Sequence, residues 1–275
     1  MKTVYILGAG ASKAVWGFPT MSNFLAESVG LIGAGQGNGE RYARLWEYLC
    51  QRFGGLDGAN LEEVLADLDE TLHGLGSTLH PGEAHAAAAT ALSARAELLQ
   101  LIAERLLSQV KEHEKADAYD RVLGRFERGD ALITLNYDVG IETFVELLKS
   151  QNATDKPLVR GHDHTTQLLR GAFLQYEVEN PVDWLLNLDL LLKLHGSIDY
   201  FRCRNRACSS SRRVSKFSQY QDCSERLCHE CGSTLERYII PPTLRKTFED
   251  CPAMSLLWRV AREALMRAER LVVGA

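Results

Sequence analysis

Three short, largely apolar runs, each ending in a small polar motif, constrain this chain more than anything else in it. Val4–Leu7 leads into Gly8-Ala9-Gly10-Ala11-Ser12, Ala131–Leu135 into Asn136-Tyr137-Asp138, and Leu188–Leu194 into His195-Gly196-Ser197. Runs without a polar-apolar alternation are what strands look like when helices cover both faces of a parallel sheet. A motif that follows such a strand sits at the carboxyl edge of the sheet, where open α/β sheets hold their ligands. A glycine turn, a carboxamide–carboxylate pair and an imidazole converging on one crevice predict a nucleotide site with catalytic groups.

The remaining pattern fits an α/β chain. Gly8 and Gly10 permit a tight turn and the close approach of a phosphate, and a helix after Ala11 would point its first N–H groups at that anion. Residues 30–39 carry five glycines and read as a flexible loop. From Arg41 to Phe126 the spacing is helical, with Leu45, Trp46 and Leu49 and then Leu61, Val64, Leu65 and Leu68 on repeating faces. Ala84–Val110, rich in Ala and Leu and free of Gly and Pro, predicts one long helix. The block predicts a helical insert over about residues 30–128, whose Leu stripes serve core packing. Asp138–Lys149 reads as a helix with Ile141, Phe144, Val145 and Leu148 on one face. Residues 150–187 read as irregular, with His162 and His164 on a solvated loop. Tyr238–Ile240 is a short strand ended by Pro241-Pro242, Met254–Ala268 an amphipathic helix, and Leu271–Val273 the last strand. The predicted class is α/β: a Rossmann-like doubly wound parallel sheet with a large helical insert and a small zinc-binding module.

Charge and hydropathy narrow the function. The 275 residues allow one to two domains, and a net charge of −5 gives no global pull toward nucleic acid or anionic lipid. No apolar run nears the roughly 20 residues that span a bilayer, and the apolar opening is too short for a signal peptide. The expected setting is cytoplasmic, without membrane contact or direct nucleic-acid binding. Seven cysteines, five of them between Cys203 and Cys231, then point to metal rather than disulfides. Cys203-x4-Cys208 and Cys228-x2-Cys231 suit tetrahedral zinc on four thiolates, a closed and therefore structural site. Cys223 stands as an alternative ligand, and His229 as a weaker one. Around them Arg202, Arg204, Arg206, Arg212, Arg213 and Lys216 form a local basic patch that fits either a phosphate or partner contact or a solvated face.

Each strand-end motif has a plainer reading beside the functional one. The glycine turn lacks the third glycine of the dinucleotide fingerprint. Asn136 or Asp138 could cap the following helix, and His195 could be a histidine satisfied at a strand end.

Taken in order, the set resembles the sirtuins and their sirtuin-like relatives. Gly8, Ala9, Gly10 and Ser12 match the family's Gly-Ala-Gly-x-Ser turn, Asn136 and Asp138 its Asn-x-Asp, and His195-Gly196 its His-Gly. The four-cysteine module follows the histidine as it does in that family, and Val272-Val273-Gly274-Ala275 resembles the start of the ribose loop, so that the chain stops where that loop would continue. The resemblance implies one NAD-binding domain over residues 1–275, containing the helical insert and a cysteine module at about 200–236. It implies that Gly8, Ala9, Gly10, Ser12, Asp138 and Gly274 bind NAD, with Ser12 at phosphate and Asp138 at nicotinamide. Asn136 would position the nucleophile and ribose, and His195 would be the base.

One departure directs the expected reaction. Where deacylating relatives carry Gly-Ile-Pro-Asp-Phe-Arg, this chain reads Gly17-Phe18-Pro19-Thr20-Met21. With the large helical insert, this resembles the bacterial defence members that hydrolyse NAD to nicotinamide and ADP-ribose, with water as nucleophile. The expectation is an NAD hydrolase, an effector of anti-phage or stress defence, working with a C-terminal sensor domain or partner or as a homo-oligomer. An NAD-dependent lysine deacylase and a non-catalytic NAD or ADP-ribose binding module are the alternatives.

Overall fold

The computed structural model describes residues 2–32, 41–56, 59–74, 81–110, 119–169, 181–217, 226–240 and 251–274. In chain order the elements are β1 (Thr3–Leu7), α1 (Ala9–Trp16), α2 (Phe24–Glu27), α3 (Val29–Ile32), α4 (Ala43–Phe53), α5 (Leu61–Gly74), α6 (Pro81–Gln109) and α7 (Asp120–Leu123). There follow β2 (Ala131–Thr134), α8 (Gly140–Ser150), α9 (Pro157–Leu169), α10 (Pro181–Leu185), β3 (Leu190–Lys193) and β4 (Gly196–Cys203). A 3-10 turn (Ser209–Arg212), β5 (Ser215–Lys216), β6 (Leu235–Ile239), α11 (Pro252–Met266) and β7 (Arg270–Gly274) complete the described chain. By contacts it divides into one unit of Met1–Phe18, Leu106–Ile240 and Thr247–Ala275, and a second of Pro19–Arg105 with Pro241–Lys246.

The first unit holds a four-stranded parallel sheet in the order β3-β2-β1-β7. The apolar runs of β1, β2 and β3 form it because they are covered, while β7 at the edge leaves Leu271 and Val273 exposed. β2 and β3 are buried along their whole length, and Val4, Ile133, Leu190 and Leu192 pack with Met254, Leu257, Val260 and Ala261 of α11. Burial of one such side chain stabilises by roughly 1.5–3 kcal/mol. The polar ends of the strands are satisfied locally. At the amino edge, Asp130 accepts from the Thr3 amide at 2.7 Å, and Asp189 accepts from the Gly129 amide at 2.7 Å and from Arg160 at 2.9 Å. The fold is α/β and Rossmann-like, with the three motifs at the carboxyl edge of the sheet.

The second sheet is antiparallel, β5-β4-β6. Here sequence and structure part. Tyr238 and Ile239, expected as a short strand, belong to this sheet, and β4 was not anticipated at all. Residues 150–187 are not irregular throughout: α9 and α10 occupy part of them. α9 buries Leu158, Val159, His162, Thr165, Leu168 and Leu169, a helical spacing disguised by Gly161 and by His and Thr, whose helix propensity is weak. His162 is therefore not on a solvated loop. Within the expected glycine loop, Val29–Ile32 are helical, and 33–40 lie outside the described residues, as does Pro241-Pro242.

The second unit is helical. α4, α5 and α6 bury Leu45, Leu49, Leu61, Val64, Leu65, Leu68, Leu98 and Ile102, and Arg52–Asp67 and Arg95–Asp69 ion pairs close their edges. The long helix expected over 84–110 is α6. No helix among the described residues is long and apolar enough to cross a membrane.

Candidate functional site

The glycine turn and the Asn-x-Asp motif meet through side chains. α1 begins at Ala9 with Gly8 as its cap, in extended backbone and with no side-chain cap, and the Ala11 N–H donates to the Gly8 carbonyl at 3.1 Å. Neither Gly8 nor Gly10 has a positive φ, and the turn needs no left-handed residue. Gly8 donates its N–H to the Gly274 carbonyl at 2.9 Å. Asn136 donates its carboxamide N–H groups to the Gly8 carbonyl at 2.8 Å and to Ser12 Oγ at 2.9 Å. One side chain thus ties the end of β2 to the turn after β1. Asn136 is half-buried, Ser12 buried, Ala9 exposed and Gly10 half-buried. Tyr119, which sequence reasoning did not single out, places its hydroxyl 3.4 Å from Ser12 Oγ.

Asp138 lies just before α8, whose cap is Val139 with no side-chain cap hydrogen bond. Its Oδ1 accepts from the Gly140 amide at 2.8 Å and so serves the start of α8. It is also deeply buried and bonded to Ser12, and burial pushes its carboxyl up against the pull of Lys193 and these hydrogen bonds. Gly140 has no room for a side chain: a Cβ there would lie 2.3 Å from Trp16 Nε1.

The third motif runs beside the second. Leu194 donates to the Thr134 carbonyl at 3.0 Å, and the Tyr137 carbonyl accepts from the Ile198 amide at 2.9 Å and Ser197 Oγ at 3.2 Å. The His195 ring lies between Tyr137 and Trp258, at centroid distances of 6.2 and 5.9 Å. Trp258 is fixed by donating to the Leu194 carbonyl at 2.9 Å. Gly196 must be glycine: its φ is +76°, and a Cβ would lie 2.1 Å from the Tyr238 carbonyl oxygen.

Beneath the motifs lies a buried charge cluster that sequence reasoning missed. Lys193, only 1% exposed, pairs with Glu142 at 2.9 Å and donates to the Asp138 carbonyl. Lys216 lies 3.4 Å from Asp199 and 4.0 Å from Glu142, and also meets His162 Nε2. Burial alone would neutralise Lys193, but Glu142, Asp199 and Asp138 outweigh it and hold the ammonium above its ordinary value. Burial likewise opposes the charge on Glu142, and Lys193 and Lys216 overcome it and bring its carboxyl down. The one signal in the sequence was a lysine closing an apolar strand, since a fully buried lysine requires a partner.

The four predicted cysteines come together at the end of β4, in the turns beside the antiparallel sheet. Cys203 ends β4, Cys208 precedes the 3-10 turn, and Cys228 and Cys231 lie in a tight turn closed by the Gly232 N–H on the Cys228 carbonyl at 2.8 Å. All four Sγ atoms lie within 4.8 Å of one another, with Cys203–Cys231 at 3.4 Å and Cys208–Cys228 at 3.8 Å. Tetrahedral Zn–S bonds of about 2.3 Å require S···S separations of roughly 3.8 Å, so the cluster fits zinc. Hydrogen bonds from Ser233 pull the Cys231 thiol down to about 6, whereas burial pushes Cys208 up to about 12 and raises Cys203, so the geometry and not the thiol acidity carries the fit. Cys223 lies outside the described residues. Much of the basic patch is occupied internally: Arg202 and Arg206 pair with Glu236, Arg213 lies 3.9 Å from Glu230, and Lys216 joins the charge cluster.

No family model and no curated protein matches the chain. Among solved structures, a mutant Sir2 homologue in complex with ADP-ribose is similar at 15% identity, with 99% of this chain and 68% of that one covered and a TM-score of 0.42. Sir2Tm bound to a propionylated peptide is similar at 13% identity, with 99% and 69% covered and a TM-score of 0.33.

Proposed function

We propose that this chain is an NAD hydrolase that releases nicotinamide and ADP-ribose. The observation that carries the reading is the Asn136 carboxamide, which joins the glycine turn, Ser12 and the end of β2 at one strand edge. There the open start of α1 suits a diphosphate, with Gly8, Ala9, Gly10, Ser12 and Gly274 around it. Asp138 accepts the amide N–H of nicotinamide, Asn136 positions water and ribose, and His195 takes the proton. In balance, the C1′–N bond breaks with its electron pair leaving on neutral nicotinamide. The water oxygen bonds C1′, and one water proton passes to His195. The site supplies fixed dipoles for the oxocarbenium-like ribose. Thr20 and Met21 stand where a deacylating relative carries the Asp-Phe of its Gly-Ile-Pro-Asp-Phe-Arg stretch, which favours water over an acyl-lysine oxygen. The same reading makes the protein cytoplasmic and a defence effector, acting as a homo-oligomer or with a sensor partner. Cys203, Cys208, Cys228 and Cys231 would hold a structural zinc, which closes all four positions and enters no step.

The test is chromatography of the protein incubated with NAD, with and without an acetyl-lysine peptide. Nicotinamide and ADP-ribose are expected without peptide, and Asn136→Ala or His195→Ala should lower the rate at least about 100-fold, the scale of a lost acid–base or positioning group. Full activity in both variants would remove the assigned roles. Turnover only with peptide would make it a deacylase, the reading that the cysteine cluster following His195 favours. Tight NAD binding without product would leave a binding module.

A further inference from the structure

We propose that Lys193 is a positioning residue whose buried ammonium anchors the Asn136–Asp138 turn and draws the Asp138 side chain toward the form that accepts hydrogen bonds from an amide ligand. The amide ligand rests on the functional reading above; the charge coupling does not.

The argument starts from what a buried ammonium needs. Lys193 closes β3 at 1% exposure and reaches across to α8, where Glu142 is itself 4% exposed. A contact that served packing alone would be met as well by an apolar side chain, since replacing a buried ion pair by one is often neutral or stabilising. Yet this ammonium also donates to the Asp138 carbonyl, in the middle of the motif that ends β2. It therefore stands where it can fix the turn and set the charge of its side chain together. The groups that face this centre come from every neighbouring element. They are Ser12 on α1, Tyr119 before α7, Glu142 on α8, His162 on α9, Asp199 and Tyr200 on β4, and Lys216 on β5. Burial favours the neutral acid at Asp138, Glu142 pushes the same way, and Lys193 is the largest influence toward the anion. A protonated Asp138 would present a hydroxyl to an amide N–H and lose an acceptor.

The two halves of one ion pair must then act oppositely on Asp138, and this separates the proposal from a merely structural role. Lys193→Met removes the cation and should move the protonation midpoint of Asp138 up. Glu142→Gln, which keeps volume and the ammonium, should move it down.

The midpoint is read without NAD, by carbon NMR of the protein labelled at its aspartate carboxyl carbons. Asp138→Asn assigns the resonance, and the titration covers the pH range over which the fold persists. Opposite shifts in the two variants are expected. Shifts in the same direction, or none, overturn the proposal. If Lys193→Met does not fold, Glu142→Gln alone decides, and a midpoint that stays or rises sinks it. The acid limb of nicotinamide release should follow the same two directions. If the NMR midpoints separate while the wild type releases no nicotinamide, the charge coupling stands and the hydrolase reading falls.

Discussion

In the larger unit β2 and β3 of one sheet and β4 of the other are buried along their whole length, and they are held by different forces. In the parallel sheet, β2 and β3 carry no charge inside until Lys193, and the polar groups gather at the two edges. β4 of the antiparallel sheet is buried along all eight residues, yet it carries Asp199, Arg202 and Cys203. Those groups are matched one by one. Lys216 meets Asp199, and Glu236 meets Arg202, which also lies over the Tyr238 ring at 4.6 Å, while Arg237 lies over Phe201 at 4.9 Å. Hydrophobic burial is non-directional and tolerates small shifts, whereas paired charges and thiolates demand geometry. The parallel sheet should therefore stand without the antiparallel one, and the reverse should fail.

The largest expected effect breaks the comparison at the cysteines. Zinc binding and folding are linked, with on the order of 10 kcal/mol at stake in small zinc modules. Removal of metal by a chelator, or Cys228→Ser with Cys231→Ser, should abolish about one equivalent of zinc. It should also erase amide-exchange protection over Phe201–Cys203 and Leu235–Ile239, which pair across β4 and β6. Protection over Val4–Leu7 and Ala131–Thr134 should persist. Equal loss in both sheets would make them one cooperative body, and unchanged protection in a metal-free protein would remove zinc from the account.

A smaller effect falls where the chain passes from one sheet to the other. Gly196→Ala forces a side chain onto a φ of +76° and into the Tyr238 carbonyl. Backbone strain of this kind costs roughly 1–3 kcal/mol before the clash is relieved, so a loss of about 3 kcal/mol or more by chemical denaturation is expected. A loss below about 1 kcal/mol would mean that β6 gives way freely, and the strand junction would not be the rigid point described.

The same contrast explains what could be read in the sequence. β1, β2 and β3 were legible because two-sided burial leaves a continuous apolar run, and the three motifs were legible because they follow those runs. Gly-Ser-Ile-Asp-Tyr-Phe-Arg-Cys was not, because Asp199 and Arg202 look solvent-facing until partners far along the chain, Lys216 and Glu236, are known to neutralise them. α9 was hidden for a related reason: His162 is buried only because Lys216 and Asp163 satisfy both ring nitrogens. Glu142 was hidden too, since nothing near it in sequence announces Lys193. The cysteines needed no such knowledge, because their spacing is itself the signal.

The smallest effect sets an exposed charge against the buried ones. Asp163, on the outer side of α9, accepts from His162 Nδ1 at 3.0 Å and Lys149 Nζ at 3.1 Å. The His162 hydrogen bond, ahead of Lys149, holds its carboxyl down at about 2. The folded value lies below the unfolded one, so the stability it gives is present above about pH 4 and is lost as pH falls toward about 2. Half of the side chain is exposed, however, and solvent screens such a pair to between nothing and about 1 kcal/mol. Asp163→Asn should thus lower stability at pH 7 by no more than that, with the gap to wild type narrowing between pH 4 and pH 2 in denaturant titrations. A gap well above 1 kcal/mol, or one that widens in acid, would place Asp163 inside the charge cluster and erase the distinction between the outer face of α9 and the buried pairs beneath it.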